Sequence, residues 1–166
     1  MTKIRPQDIT GSVFERIGTQ WMLITAEKEG KVNTMTASWG GLGVMWNSPV
    51  AICAVRPQRY TFEFIEPADL YTLSFLPEQY RDALNLCGAK SGRDTDKIAA
   101  AGLHTQDFGS GAAGFKEAEL TLVCRKLFSQ FIKEENFAAP EIATKFYPGK
   151  DFHKLYIGEI TDVYGA

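Results

Sequence analysis

The 166-residue chain lacks the features that mark several large classes of protein. Its 18 Lys and Arg against 20 Asp and Glu give a formal net charge of −2, whereas nucleic-acid and anionic-membrane binding usually depend on a basic excess. Its longest apolar runs, such as 50–55, are too short to span a bilayer, and residues 1–10 contain no apolar segment typical of a signal peptide. We therefore expect a cytoplasmic protein with no nucleic-acid or membrane partner.

Cysteine and histidine are too few and too scattered for a disulfide framework or a metal centre. Cys53, Cys87 and Cys124 form no CxxC pair and have mostly apolar neighbours, so we predict buried free thiols in a reducing compartment. His104 and His153 lie far apart, without cysteines or carboxylates at ligand spacing, and no metal site is expected. His104 follows a predicted helix end and should lie on the surface.

The rest of the composition is that of an ordinary globular protein, with 45% hydrophobic and 12% aromatic residues. It predicts one domain over residues 1–166. Strand-forming segments cover 20–26, 32–39, 50–55, 69–75, 120–131 and 155–160. Helices are predicted over 77–88 and 91–101, with short helical turns at 61–66 and 140–146. Because strands and helices do not alternate, a β-barrel with two or three short helices fits better than a doubly wound sheet.

Two glycine-rich segments are predicted to be irregular. Residues 40–43 (GGLG) should break the strand before them, and a turn should follow at 47–49. Residues 109–114 match GxGxxG literally, but that fingerprint requires a hydrophobic strand before it and a helix after it. The flanking residues fit neither requirement, so we interpret 109–114 as a flexible loop.

Two cationic segments would suit an anionic ligand. The segment 56–61 (RPQRYT) places two arginines, a tyrosine and a hydroxyl directly after a buried strand, and 90–97 (KSGRDTDK) places three cations at a predicted helix start. Each alone is typical of a solvated turn. Phosphate groups, however, favour charged donors and helix N-termini. Together with the hydroxyl-rich strand 34–38, the two segments favour a phosphorylated aromatic ligand.

Taken in order, four segments resemble the flavin reductase-like, flavoredoxin-type FMN-binding family: 33–40 (NTMTASWG), 56–61, 87–97 and 151–160 (DFHKLYIGEI). The resemblance extends over about residues 10–162. It implies a split β-barrel of Greek-key type that forms a homodimer and binds FMN without a covalent bond near the subunit interface. The residues that it places at the cofactor are Asn33, Thr36, Ala37, Ser38, Trp39, Arg56, Arg59, Tyr60, Thr61, Cys87, Ser91, Gly92, Arg93 and Lys97.

The resemblance also implies roles within that set. Residues 36–39 would lie along the isoalloxazine ring and ribityl chain. Arg56, Arg59, Tyr60 and Thr61 would hold the phosphate and its approach, and Cys87 with residues 91–97 would close the other side. Arg93 or Lys97 could stabilise an anionic reduced flavin, and His153 is a catalytic candidate. Cys87 has no partner for a redox cycle, so we expect it to pack against the core.

Three functions fit these expectations. The first is an oxidoreductase that passes hydride from NADH or NADPH to FMN, and the second is an FMN electron carrier that serves a partner protein. The third is a split barrel that binds haem through His104 or His153. Apolar residues among the glycines of 40–46 would suit a contact between two copies of the chain, which agrees with the homodimer that the resemblance implies.

Overall fold

Ten β-strands and five short helices form residues 1–165, the part of the chain described by the computed structural model. The strands are β1 (Thr2–Ile4), β2 (Met22–Lys28), β3 (Lys31–Ala37), β4 (Gly40–Met45), β5 (Ser48–Val55), β6 (Leu70–Phe75), β7 (Thr105–Asp107), β8 (Ala113–Phe115), β9 (Leu120–Phe131) and β10 (Lys154–Gly165). The helices are α1 (Val13–Glu15), α2 (Phe62–Ile65), α3 (Arg81–Ala89), α4 (Lys97–Ala100) and α5 (Pro140–Phe146). Single helical turns lie at Pro6–Asp8, Arg16–Gln20, Glu78–Tyr80 and Glu134–Asn136.

Eight strands form one antiparallel sheet in the order β3-β2-β6-β9-β10-β5-β4, with β1 paired to β10. The sheet curves so that β3 and β5, which are not paired with each other, approach across its interior. Large side chains such as Tyr71, Phe75 and Tyr156 fill that interior and are almost completely buried. The prediction of a mostly β fold with few short helices is confirmed.

Tight hairpins determine the register of the strands that border the interior. The β2–β3 turn at Glu29–Gly30 and the β4–β5 turn at Trp46–Asn47 have positive φ at both residues, as two-residue hairpins of the favoured twist require. The strand before residues 40–43 does end, at Ala37, but these residues are not irregular as predicted, because all of residues 40–45 pair with β5. At an edge position the backbone ladder outweighs the poor strand propensity of glycine.

The predicted helix over 91–101 is also too long. Helix α4 begins only at Lys97, where the carboxylate of Asp96 accepts the backbone N–H of Ala99 at 3.1 Å. Residues 91–95 instead form a turn closed by backbone hydrogen bonds to Ser91. The GxGxxG segment is the hairpin turn between β7 and β8 with the start of β8, in agreement with its interpretation as a loop.

A second apolar cluster attaches α3 to the outer face of β2 and β3. It includes Leu23, Leu84, Cys87 and Phe115, all at most 1% exposed. All three cysteines are buried and free, as predicted. Within residues 1–165, no helix combines the length and the apolar character needed to cross a bilayer.

Candidate functional site

A cleft of about 180 Å³ lies between the end of β3 and the end of β5. It is lined by Met35, Thr36, Ala37, Ser38, Trp39, Ala54, Arg56, Arg59 and His153. Seven of these nine residues belong to the predicted cofactor set or are the catalytic candidate. The structure therefore brings three separate segments of the sequence, 35–39, 54–59 and 153, to one place.

Helix α3 forms one wall of this region. The hydroxyl of Thr36 donates to the carbonyl of Leu84 at 2.5 Å, and Gly88 packs so closely that an added Cβ would lie 3.5 Å from the Cβ of Thr36. These contacts join β3 to the C-terminal half of α3. They place the last turn of the helix, which contains Cys87, beside the cleft.

Asn33 holds two further segments against the first half of β3. Its side-chain amide is buried and donates to the Thr61 hydroxyl at 2.8 Å. Gly92 lies against the other end of this amide, where an added Cβ would overlap Oδ1 of the Asn33 side chain and approach the Tyr60 ring to 3.0 Å. The 91–97 segment therefore reaches β3 only because residue 92 has no side chain.

Two cations, the buried Lys97 and the half-buried Arg59, lie at this point without an acidic partner within residues 1–165. The Arg59 guanidinium contacts the carbonyl oxygen of Cys87 at 3.4 Å, and Nζ of Lys97 donates to the same oxygen and to that of Lys90, both at 3.2 Å. Within residues 1–165, neither cation forms a salt bridge. Burial lowers the pKa of both groups, that of Lys97 to about 8.

The other two arginines of the predicted site are already paired. Arg56 forms an ion pair with Asp151 and donates to the Phe146 carbonyl at 2.9 Å. Arg93 pairs with Glu63 and stacks on the ring of Tyr60 at 4.8 Å. Of the four cations of the predicted set, Arg56 and Arg93 thus have a carboxylate partner. Arg59 and Lys97 have none within residues 1–165.

The thiol of Cys87 lies under these two cations and is inaccessible to solvent. Burial raises the pKa of Cys87, and this effect exceeds the opposing influence of Lys97 and Arg59. A reactive thiol requires a lowered pKa and some exposure. The arrangement therefore agrees with the expected packing role.

His153 closes the cleft on the side of α5. Its ring lies 5.0 Å from the ring of Trp39, and its Nδ1 is 2.9 Å from the Tyr147 hydroxyl. Burial, together with the nearby Arg56, lowers the pKa of His153 to about 4. The imidazole is therefore neutral at physiological pH. His104, in contrast, is exposed as predicted and pairs with Glu117.

The sequence of this chain matches one known protein family over most of its length. The model of the flavin reductase like domain family matches residues 14–166. The chain belongs to this family. Its membership carries a flavin-related redox function, and no protein of curated function matches the sequence.

Solved structures show the same split-barrel fold. An FMN-binding protein from Thermus thermophilus superposes with a TM-score of 0.70 at 20% identity, over 100% of this chain and 82% of that one. Flavoredoxin from Methanosarcina acetivorans superposes with a TM-score of 0.68 at 23% sequence identity, over 89% of this chain and 68% of that one. An FMN-binding domain of a flavin reductases-like enzyme from Shewanella baltica superposes with a TM-score of 0.71 at 15% sequence identity, over 98% of this chain and 75% of that one.

Next to the cleft, this flavin reductase-like domain has a larger open groove of about 710 Å³ along the first half of β3. Its walls are residues 31–33 of β3, the 92–99 segment, residues 103–105 and Lys116. Gly92, Arg93 and Lys97 of the predicted set line this groove. The two concave regions follow successive halves of one strand, with Cys87 and its two cations nearby.

Two residues of the domain's site were missed by the sequence analysis. Tyr147, which contacts His153, follows α5, and no periodic pattern links it to the strand that follows. Asp151 lies in the 151–160 segment that resembles the family, but its role there was not predicted. The position of Asp151 two residues before His153, opposite the strand that Arg56 directly follows, was the available signal for an ion pair.

The buried ammonium of Lys97 should make the stability of the ligand-free domain depend on pH. The pKa of lysine is about 10.4 in an unfolded chain and about 8 in the folded one, so the unfolded state binds more protons between these values. This contribution therefore favours folding increasingly as the pH rises through that window. The wild type should gain up to about 1.4 kcal/mol per pH unit relative to Lys97→Met between pH 8 and 10.

Urea denaturation of both proteins from pH 6 to 10 measures this difference in the free energy of unfolding. Because cysteines and tyrosines of the unfolded chain also release protons in this pH range, only the difference between the two proteins is informative. Below about pH 7 the difference should be constant. A constant difference up to pH 10 would show that Lys97 keeps an ordinary pKa.

Proposed function

We propose that this chain binds FMN without a covalent bond at the β3 cleft and exchanges hydride or electrons between NADH or NADPH and FMN. One observation carries the proposal: beside the cleft Lys97 is buried and Arg59 is half-buried, and neither has an acidic partner within residues 1–165. Buried charges are normally paired. An anionic ligand such as the FMN phosphate would complete this pair of cations.

The residues present fit the parts of FMN. Arg59 and Lys97 face the same carbonyl oxygen, so we assign both to the phosphate; this differs from the separate role expected for Lys97. The backbone and hydroxyls of residues 36–38 would run along the ring system and ribityl chain, with Trp39 at its edge. When bound, the flavin supplies the hydride chemistry, while the protein orients it and excludes water.

The size of the cleft supports the proposal of a homodimer. Ligand sites for molecules of this class usually enclose about 300–1,000 Å³, more than the 180 Å³ found between β3 and β5. Edge strand β4 starts just after Trp39 and ends at the exposed hairpin tip, where Val44 is 75% and Trp46 58% exposed. A second copy packed on β4 would cover these side chains and add a wall to the cleft.

Sedimentation equilibrium with FMN present tests this assembly. We expect a dimer mass for the wild type and at least a tenfold weaker association for Trp46→Glu, because a charge would be buried at the contact. Leu127→Glu, an exposed apolar position on β9, is the matched control and should remain dimeric. A monomer mass for the wild type at micromolar concentration would contradict the proposal.

The absorbance spectrum of the FMN-loaded protein under anaerobic conditions distinguishes an enzyme from a carrier. Flavin bands that bleach when NADH or NADPH is added indicate an oxidoreductase, which is the result we expect. Bands that persist with both nucleotides but bleach with dithionite would favour the carrier, whose electrons come from a partner protein. Failure of the protein to take up FMN would contradict both.

A further inference from the structure

Tyr147, which was not among the predicted site residues, contacts His153 from the side of α5. Tyr147 is 5% exposed and is packed among aromatic rings, with Phe152 at 4.7 Å and Phe137 at 6.1 Å between ring centroids. The guanidinium of Arg56 lies 5.2 Å from the centre of its ring. This packing leaves the phenol little freedom to turn away from His153.

The hydrogen-bonding pattern determines which of the two groups donates. Within residues 1–165, the Tyr147 hydroxyl has one hydrogen-bond partner, Nδ1 of His153. The hydroxyl donates its own proton to Nδ1, 2.9 Å away, only if that nitrogen is unprotonated. If Nδ1 carried the proton instead, the buried hydroxyl would have no acceptor within residues 1–165, which is costly.

The second ring nitrogen of His153 remains available to the cleft. Nε2 makes no hydrogen bond to any residue in the described part of the chain. Tyr71 Oη is the one buried side-chain polar atom without a partner within residues 1–165, so Nε2 is not sealed inside the protein. Because His153 lines the cleft, its Nε2 can reach a ligand there.

We propose that Tyr147 is a positioning residue that holds His153 in the tautomer protonated on Nε2, so that the cleft receives a neutral N–H donor. Such a donor would suit an uncharged acceptor, such as a carbonyl oxygen of the flavin or the carboxamide oxygen of a nicotinamide. The identity of the acceptor rests on the proposed function, whereas the tautomer does not.

The charges around the imidazole agree with a neutral ring. Arg56 and Arg59 both disfavour its protonation, Asp151 favours it, and burial is the largest influence. Asp151 is itself paired with Arg56 and hydrogen-bonded to Gln58, so it does not serve as a free counter-ion. His153 therefore acts as a fixed donor and does not exchange a proton near neutral pH.

Long-range proton–nitrogen NMR correlation spectra test the tautomer directly in the ligand-free protein. The chain has two histidines, and His104→Gln assigns their signals. In the wild type from pH 6 to 8 we expect a protonated Nε2 and an unprotonated Nδ1 for His153. In Tyr147→Phe the two tautomers should mix, while Tyr164→Phe should match the wild type. An Nδ1–H tautomer in the wild type, or an unchanged tautomer in Tyr147→Phe, would overturn the proposal.

A double-mutant cycle then distinguishes positioning from packing. Loss of one hydrogen bond predicts that Tyr147→Phe binds FMN, or reacts with NADH, about three- to tenfold less well. In a His153→Ala background, Tyr147→Phe should have no further effect. An equal loss in both backgrounds would mean that Tyr147 acts on the fold alone and would overturn the proposal. If no flavin binds, the proposed function fails, but the tautomer measurement still decides the role of Tyr147.

Discussion

Replacing Arg59 with alanine should weaken FMN binding about ten- to a hundredfold and leave riboflavin binding nearly unchanged. A charged hydrogen bond to a desolvated phosphate contributes about 1.5–3 kcal/mol, and riboflavin has no phosphate. Within residues 1–165, the guanidinium makes one long hydrogen bond, to the carbonyl oxygen of Cys87 at 3.4 Å, and no salt bridge. Its removal therefore breaks no ion pair, and the fold should be unaffected.

Fluorescence titration with both flavins measures the effect of Arg59→Ala. Arg125→Ala is the matched control, since Arg125 is an exposed arginine that pairs with Glu159 on the neighbouring strand. It should bind FMN like the wild type. Equal weakening of FMN and riboflavin by Arg59→Ala would show that the arginine supports the structure and does not hold the phosphate.

A methyl group added at Gly92 should also reduce FMN binding more than tenfold. The new Cβ would overlap the Asn33 side chain and approach Tyr60 to 3.0 Å, and Asn33 cannot move freely because it donates to the buried Thr61 hydroxyl. The 91–97 segment must then move away from β3, which displaces Lys97. Overpacking of this kind costs about 1–3 kcal/mol.

The same titration, combined with thermal unfolding, tests Gly92→Ala. Gly18→Ala is the control, because an added Cβ there meets nothing within 4 Å and the residue does not need a positive φ. We expect normal binding for the control and, for Gly92→Ala, a loss of affinity larger than its loss of stability. Normal FMN binding by Gly92→Ala would mean that the 91–97 segment is not part of the site.

Local patterns were sufficient to predict the regular parts of the fold. Strand β9 and helix α5 occupy the ranges that their apolar patterning indicated, 120–131 and 140–146. The errors occur where pairing between distant segments decides the outcome. Glycines 40, 41 and 43 extend as a strand because β5 provides the hydrogen-bonding partner, and β10 continues to Gly165 because β9 and β1 flank it.

The sequence was sufficient to predict which residues gather at the site, but not which of its cations pair with carboxylates. Resemblance collected Arg56, Arg59, Arg93 and Lys97 together without indicating which of them are paired. The pairing depends on Asp151 and Glu63, which approach from segments 95 and 30 positions away in sequence. Only the three-dimensional arrangement shows that Arg59 and Lys97 alone among the four lack a carboxylate within residues 1–165.

Calorimetric titration of the flavin-free protein with FMN tests the central claim most directly. The account predicts saturable binding of one FMN per chain, with a dissociation constant in the micromolar range or below, and a tenfold or greater loss of affinity in Arg59→Ala. Absence of saturable binding, or binding that is identical in wild type and Arg59→Ala, would contradict the assignment of the β3 cleft and its two unpaired cations, Arg59 and Lys97, to FMN.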